Sequence, residues 1–191
     1  LLNLDNSVEK NISLLADAKN TSPDKLTACV LDRPRHSKII SELKRMKVNL
    51  KLITDGDVAG AIFVIDKRSP VDIYLGTGGG PEGVLAAAAL SCYGGQIQTR
   101  LVLNNEEKIR AKKLGVKDLN KKYNIDDMIK GDVMFCASGV THGDLVSGIK
   151  NNKDTFEAST LALHKKSKTE LKITNIHKKW ISFQLLKENG F

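Results

Sequence analysis

Residues 71–95 read VDIYLGTGGGPEGVLAAAALSCYGG and decide the fold, because they predict a strand, a glycine loop and a helix in direct succession. Apolar Val71, Ile73 and Leu75 alternate with more polar neighbours, which is typical of a strand. Four glycines follow within five positions, and Pro81 suits the first position of a helix, where its missing N–H group is not needed. The alanine-rich run that follows predicts a helix that the two final glycines end.

A glycine loop that leads into a helix is typical of an anion site, because it presents bare backbone N–H groups and the positive end of the helix dipole. Glu82 lies in the first predicted turn, where the dipole favours its carboxylate but a bound phosphate competes with it for the same positive end. A divalent cation would allow both negative groups to bind there. The alternative is a tight turn followed by an ordinary acidic first turn, and the sequence leaves it open.

Two similar units precede this one, and each consists of a predicted strand, a polar loop and a helix: residues 26–47 and residues 48–65. Three such units in succession predict a parallel sheet with right-handed crossovers. In parallel sheets the ligand crevice lies outside the carboxyl ends of the strands, where these three loops begin. We therefore expect the charged groups of the first two loops and the glycines of the third to converge on one crevice.

The first of these loops contains Arg33 and Arg35 on either side of Pro34. Proline favours an extended backbone before it, so the two guanidinium groups are expected to splay towards a phosphate that they bind bidentately. The alternative is a loop with two surface arginines. The residues alone do not decide between these interpretations.

The second loop contains Asp55 and Asp57 on either side of Gly56. Two carboxylates around a glycine accept sugar hydroxyl groups or bind Mg²⁺ or Mn²⁺. The alternative is a helix N-cap with an acidic first turn, which the sequence supports equally well.

Helices are predicted at two further places. Asn6 and Glu9 have the spacing of a capping box and start a predicted helix over residues 6–19. Asn104 and Glu107 repeat that spacing before a polar helix.

Strands are predicted at residues 96–103 and 132–137, and period-2 alternation from about residue 156 onward predicts antiparallel strands that close the sheet. We therefore predict one α/β domain over residues 1–191. It is a layered sheet-and-helix fold in which parallel strand–loop–helix units are closed by antiparallel C-terminal strands.

The composition narrows the range of partners. The 30 Lys+Arg and 22 Asp+Glu residues give a net charge of +8, which suits either a nucleic acid or an anionic small substrate. The lysines are dispersed among acids with little aromatic interleaving, so we expect a solvated basic face and no nucleic-acid partner. Because the sequence has no apolar run of about 18 residues and no leader pattern, we expect no membrane association and a cytoplasmic location.

The thiols and imidazoles give no clear sign of a metal site. Cys29, Cys92 and Cys136 each lie in an apolar stretch without the spacing of metal ligands, and we expect buried thiols in a reducing compartment. His142 and His177 are interpreted as surface histidines.

Dinucleotide binding is the main alternative for the glycine loop. Residues Gly78–Gly83 satisfy the pattern G-x-G-x-x-G between a predicted strand and a predicted helix. However, Leu103 and Asn104 stand where the ribose-binding acid of such a site is expected, and the loop belongs to the third unit rather than the first.

Four motifs in chain order resemble the bacterial class II fructose-1,6-bisphosphatases: RPRH (33–36), TDGDVA (54–59), GTGGGPEGV (76–84) and GDVMFCA (131–137). This resemblance covers nearly the whole chain. It implies the fold of the metal-dependent, lithium-sensitive sugar phosphatases. It also implies hydrolysis of the 1-phosphate of fructose 1,6-bisphosphate with Mn²⁺ or Mg²⁺.

By motif match, the resemblance implies a metal ligand at Glu82 and substrate contacts from seven residues: Arg33, Pro34, Arg35, Asp55, Gly56, Asp57 and Gly79. Members of this family are longer, and an N-terminal half with an Asp-Pro-Ile-(Asp/Glu)-Gly-Thr motif supplies most of their metal ligands. No such motif is present here, so the chain resembles the C-terminal part of such an enzyme.

Three expectations follow from this resemblance to a C-terminal part. The chain alone is inactive, an N-terminal half is its partner, and apolar surface left exposed without that half favours self-association into homo-oligomers. The alternative function is a non-catalytic module that binds a phosphorylated ligand or a dinucleotide at the same glycine loop.

Overall fold

The computed structural model describes residues 1–178, which divide between two units, residues 1–133 and a second unit that begins at Met134. The first unit contains a three-stranded sheet in the order β2 (Asn49–Ile53), β1 (Thr27–Leu31) and β3 (Ile73–Tyr74). β1 pairs with both neighbours in parallel. The prediction of a parallel sheet built from three successive units is confirmed.

Helices cover both faces of this sheet, and their bounds are α1 (Val8–Ala18), α2 (Ser37–Arg45), α3 (Asp57–Ile62) and α4 (Gly80–Tyr93). Val30 of β1 packs in one buried cluster with Ile12 of α1 and Leu43 of α2. Its neighbour Cys29 belongs to a different cluster, together with Phe63, which follows α3. Successive residues of β1 therefore face opposite layers, which explains why this strand is apolar almost throughout.

The N-terminal helix is capped by a different residue from the predicted one. Ser7 is the N-cap of α1, and its hydroxyl accepts a 3.1 Å hydrogen bond from the Lys10 N–H group. The predicted capping box of Asn6 and Glu9 is wrong because both side chains bind elsewhere. Asn6 donates to the Asn11 side chain at 3.1 Å, and Glu9 forms an ion pair with an arginine of α2.

The strand predicted at residues 96–103 is also wrong. Only Thr99 forms a bridge there, with Tyr123, and the Gln98 side chain instead bonds the backbone of Leu2 and Leu4. The polar helix after it is confirmed as α5 (Asn105–Lys113), with the predicted capping box of Asn104 and Glu107. A short α6 (Ile125–Met128) follows.

The second unit is antiparallel, and its strands are β4 (Met134–Ser138), β5 (Lys150–Asn151), β6 (Thr155–His164) and β7 (Thr169–Lys178). β6 is central and pairs with the other three. Phe135, Leu161 and Leu163 are buried, whereas β7 is exposed at every position. The prediction of antiparallel C-terminal strands is confirmed, and residues 179–191 lie outside the described part of the chain.

Two predictions about individual side chains have different outcomes. Cys136 is exposed rather than buried, because it alternates with Phe135 along β4 and faces the other side of the sheet. Cys29 is buried as predicted, and Cys92 is half-buried. His142 and His177 are exposed, as the sequence indicated.

None of the helices in residues 1–178 combines the length and apolar character needed to cross a bilayer.

Candidate functional site

The loop after β1 turns sharply at Pro34. Arg33 is extended (φ −137°, ψ 145°), as expected before a proline, but Pro34 itself begins a 3₁₀ turn that ends at His36. The Arg33 guanidinium donates to the carbonyl oxygen of its neighbour Asp32 at 3.1 Å. Arg35 Nε instead donates to the carbonyl oxygen of Thr77 at 2.8 Å, so the second arginine reaches the glycine loop.

The loop after β2 depends on a glycine in the left-handed region. Gly56 has φ +82° and immediately precedes α3, a conformation that glycine adopts without steric cost. Asp55 Oδ1 accepts from the Gly56 N–H group at 2.8 Å, and Asp57 Oδ1 accepts from the Val58 N–H group at 2.9 Å. Asp57 therefore lies in the first turn of α3. Its second carboxylate oxygen points to the glycine loop, because a β-carbon on Gly78 would lie 2.6 Å from Asp57 Oδ2.

The loop after β3 leads into the N-terminus of α4 without a side-chain cap. Gly79 is the N-cap residue and forms no side-chain cap hydrogen bond, so the first N–H groups of the helix have no intrahelical acceptor. The Glu82 carboxylate folds back over Gly79, where a β-carbon would overlap with Oε2. Glu82 is exposed. A carboxylate is thus held at the positive end of the helix dipole.

The three loops meet within the first unit. Arg35 bonds Thr77, which joins the first loop to the third, and Asp57 lies against Gly78, which joins the second loop to the third. The convergence predicted from the order of the three units is present in the geometry. The binding roles of the individual residues stay predictions.

Two residues near these loops were given no role by the sequence analysis. Tyr74 of β3 is half-buried, and its ring lies so close to α3 that a β-carbon on Gly60 would be 2.7 Å from Cε2. Burial, and then the nearby Asp57 carboxylate, raise the pKa of the Tyr74 phenol. The position of this tyrosine just before the glycine loop could have indicated from the sequence that it lies near the candidate site. His36 is fully buried beneath Gly76, and nothing in the local pattern indicated this.

The carboxylates here do not make a complete metal site. Residues 1–178 contain no group of three or more His, Cys, Asp and Glu side chains that could hold a metal ion. Glu82 fits as a single oxygen ligand for a hard cation, because its carboxylate is exposed at the edge of the glycine loop. No cluster among residues 1–178 therefore suffices to hold a divalent cation, and the role of Glu82 as a metal ligand stays a prediction.

Comparison with known proteins identifies the family. Residues 1–177 match the family model described as bacterial fructose-1,6-bisphosphatase, glpX-encoded. The chain belongs to this family. The resemblance of the four sequence motifs is thereby confirmed.

The family relatives are considerably longer than this chain. The fructose-1,6-bisphosphatase class 2 of Haemophilus influenzae is 34% identical over 192 residues, which cover 93% of this chain and 57% of the relative. The D-fructose 1,6-bisphosphatase class 2/sedoheptulose 1,7-bisphosphatase of Synechocystis is 30% identical over 93% of this chain and 56% of its own length. The protein with the same description from Trichodesmium erythraeum is 28% identical over 92% of this chain and 55% of its own length. The chain therefore spans a little over half the length of these relatives.

Proposed function

We propose that this chain is the substrate-binding part of a class II fructose-1,6-bisphosphatase. The whole enzyme would hydrolyse the 1-phosphate of fructose 1,6-bisphosphate to fructose 6-phosphate and phosphate, a step of gluconeogenesis in the cytoplasm. The observation that carries the proposal is the meeting of three loops, in which Arg35 bonds Thr77 and Asp57 lies against Gly78. Membership of the family supports the same reaction.

A phosphate group of the substrate would bind between the first and third loops. Arg35 uses Nε for the Thr77 carbonyl, and its two terminal nitrogens donate to no acceptor among residues 1–178. They are therefore available for a charge-assisted, bidentate contact with a phosphate. Arg33 and Pro34 would complete this side, and the backbone N–H group of Gly79 would donate from the other.

The sugar would bind over the second loop, Asp55–Asp57. Each of its two carboxylates uses one oxygen for a local backbone N–H group. The remaining oxygens of Asp55 and Asp57 would accept hydroxyl groups of the sugar, while Gly56 allows the backbone to approach closely.

Glu82 would be the one metal ligand that this chain supplies. Mn²⁺ or Mg²⁺, when bound, supplies charge neutralisation at the phosphate and activation of water. Further ligands would come from an N-terminal half corresponding to the part of the relatives that this chain does not cover. The same half would cover apolar residues near the loop, such as Val84 and Leu85, which are 45% and 51% exposed. Without it, the chain would self-associate.

A phosphate-release assay in millimolar Mn²⁺ tests this division of labour. We expect no turnover of fructose 1,6-bisphosphate by these 191 residues alone, and Mn²⁺-dependent turnover on co-expression with an N-terminal half of the family. Glu82→Gln in the active complex should raise the Mn²⁺ requirement and cut activity severely while the fold stays intact. Robust turnover by the isolated chain, or unchanged metal dependence of the variant, would contradict the proposal.

Ligand protection separates this proposal from dinucleotide binding. The chain should be protected against thermal unfolding by fructose 1,6-bisphosphate and not by NAD, because Leu103 and Asn104 stand where the ribose-binding acid of a dinucleotide site is expected. Sedoheptulose 1,7-bisphosphate is measured in parallel, since the residues leave both sugars open as substrates. Protection by NAD alone would favour the non-catalytic alternative.

A further inference from the structure

His36 stands out as a buried polar side chain beside the candidate site. It lies in the turn after β1, and its relative exposure is 0%. Among residues 1–178, Asn11 is the only other polar residue that is buried. Because a buried polar group is costly unless its polar atoms are bonded, both ring nitrogens of His36 need partners.

The partners of the two nitrogens fix the tautomer of the ring. Nδ1 lies 2.8 Å from the carbonyl oxygen of Leu31, the last residue of β1. Nε2 lies 2.8 Å from the backbone nitrogen of Thr77, which can only donate. Nε2 therefore accepts from Thr77, and the single ring proton lies on Nδ1, which donates to Leu31.

Thr77 is consequently held at both of its backbone polar groups by two neighbouring residues. Its N–H group donates to His36, and its carbonyl oxygen accepts from Arg35 Nε at 2.8 Å. The same oxygen lies 3.1 Å from His36 Nε2, which has no proton to donate in this tautomer, so Arg35 is the donor that satisfies it.

The ring also sets how closely the glycine loop approaches β1. A β-carbon on Gly76 would lie 3.2 Å from His36 Cε1 and 3.3 Å from Nε2, so the ring packs directly against the backbone at Gly76. Thr77 immediately precedes Gly78 and Gly79, which lie against the carboxylates of Asp57 and Glu82, respectively.

We infer that His36 is a positioning residue for the phosphate-binding groups. It joins the end of β1 to the glycine loop, and so it fixes the orientation of the loop N–H groups and of the Thr77 carbonyl that orients Arg35. This role rests on the proposed function, because it assumes that these groups bind the sugar bisphosphate. It also predicts that both bonds contribute similarly to stability, and that only the acceptor at Nε2 contributes to binding beyond its effect on stability.

Two variants separate these two bonds. His36→Gln places an amide oxygen near the position of Nε2 and keeps an acceptor for the Thr77 N–H group. His36→Asn places an amide nitrogen near the position of Nδ1 and keeps a donor for the Leu31 carbonyl instead. Both variants are neutral and polar, and each loses one of the two bonds, so they are matched in cost to the fold.

The measurement is calorimetric titration of each variant with fructose 1,6-bisphosphate, together with urea unfolding. We expect His36→Asn to weaken binding about tenfold, the effect of one misplaced charge-assisted contact. His36→Gln should weaken binding no more than about threefold, and the two variants should lose similar amounts of stability. Equal losses of affinity in both variants, in proportion to their losses of stability, would overturn the inference.

Amide hydrogen exchange and ¹⁵N NMR test the inference without any ligand. The Thr77 and Gly78 amides should exchange faster in His36→Asn than in His36→Gln, and the wild-type His36 ring should show the tautomer with the proton on Nδ1. Equal exchange in the two variants, or a proton on Nε2 in the wild type, overturns the inference. If the wild-type chain binds no sugar bisphosphate, the proposed function fails, and these two measurements still decide whether His36 positions the loop.

Discussion

The first unit buries its central strand β1 on both faces of the sheet, whereas the second unit buries only part of one face of its central strand β6. In β1, Ala28, Cys29 and Val30 are each 0% exposed, because helices cover both sides of the sheet. In β6, Leu161 and Leu163 are only 1% and 2% exposed, but the other residues of the strand are half-buried. A strand buried on both faces has its position fixed from two directions, so the loops that follow it are held precisely enough to converge.

The two units also differ in the sequence separation of their polar contacts. In the first unit, Asp5 bonds Arg100 and Lys122, which lie 95 and 117 residues away. In the second unit, the ion pair of Lys150 and Glu157 spans 7 residues, and the hydrogen bond between the Ser138 and Thr160 hydroxyl groups spans 22. The first unit therefore depends on long-range contacts, and all eight predicted site residues lie in it.

The largest expected effect is loss of the core of the first unit. Leu43→Ala removes a side chain that is 0% exposed and should lower the free energy of unfolding by about 2–5 kcal/mol. Leu171→Ala in β7 removes one that is 52% exposed and should change it by less than about 0.5 kcal/mol. Urea unfolding followed by circular dichroism measures both. A cost at Leu171 comparable to that at Leu43 would mean that β7 is buried in solution and that the contrast between the units is false.

The next effect concerns ligand affinity. Arg35→Ala should weaken binding of fructose 1,6-bisphosphate by about 1.5–3 kcal/mol, the scale of a hydrogen bond to a charged group. Arg45→Ala is the matched control, because Arg45 is an exposed arginine of the same unit that bonds Glu9 instead. His142→Ala is the control in the second unit. Calorimetric titration should show unchanged affinity for both controls, and unchanged affinity for Arg35→Ala would remove this residue from the site.

Two glycines at the start of α4, Gly79 and Gly83, are expected to respond differently to substitution by alanine. Gly79→Ala places a β-carbon where the Glu82 carboxylate lies, so Glu82 must turn away and the Mn²⁺ requirement of the active complex should rise. In Gly83→Ala the new β-carbon has no neighbouring atom within 4 Å. Because Gly83 lies inside the helix, where alanine is favoured over glycine, this variant should raise the free energy of unfolding by about 0.4–1 kcal/mol. Titration with Mn²⁺ and thermal unfolding measure the two effects. Identical behaviour of the two variants would show that the contact between Gly79 and Glu82 has no role.

The smallest expected effect is a pH-dependent one at Asp5. Hydrogen bonds from Lys122 and then Arg100 hold the pKa of Asp5 below its ordinary value of 3.8. A carboxyl with a lowered folded pKa stabilises the fold above its unfolded pKa, and this contribution is lost as the pH falls through the folded value. The stability difference between the wild type and Asp5→Asn should thus be present at neutral pH and be lost as the pH falls below 3.8 and through the lowered folded pKa.

Chemical denaturation across this pH range measures the difference. Glu157→Gln, which removes the local ion pair of the second unit, should have a smaller effect at neutral pH than Asp5→Asn. The reverse order would contradict the idea that long-range polar contacts matter more in the first unit.

The order of elements was predictable, and the exceptions have identifiable physical causes. The capping box of Asn104 and Glu107 was correct because it involves residues three positions apart and needs no tertiary contact. The strand at residues 96–103 was wrong because an extended pattern requires a partner along its length, and the structure provides one bridge at Thr99. The exposed thiol of Cys136 shows that an apolar run in a strand does not reveal which of its two faces is buried.

The sequence by itself determined the three strand–loop–helix units and which loops carry charge, because strand and helix patterns repeat over 2 and about 3.6 residues and turns are marked by glycine and proline. Only the tertiary structure decided which groups meet across the loops. Arg35 and His36 bond Thr77, which lies 42 and 41 residues further on, and Asp57 lies against Gly78. These contacts depend on the pairing of β1 with β2 and β3, and the parallel register of those strands is set by burial in the core rather than by any pattern within the loops.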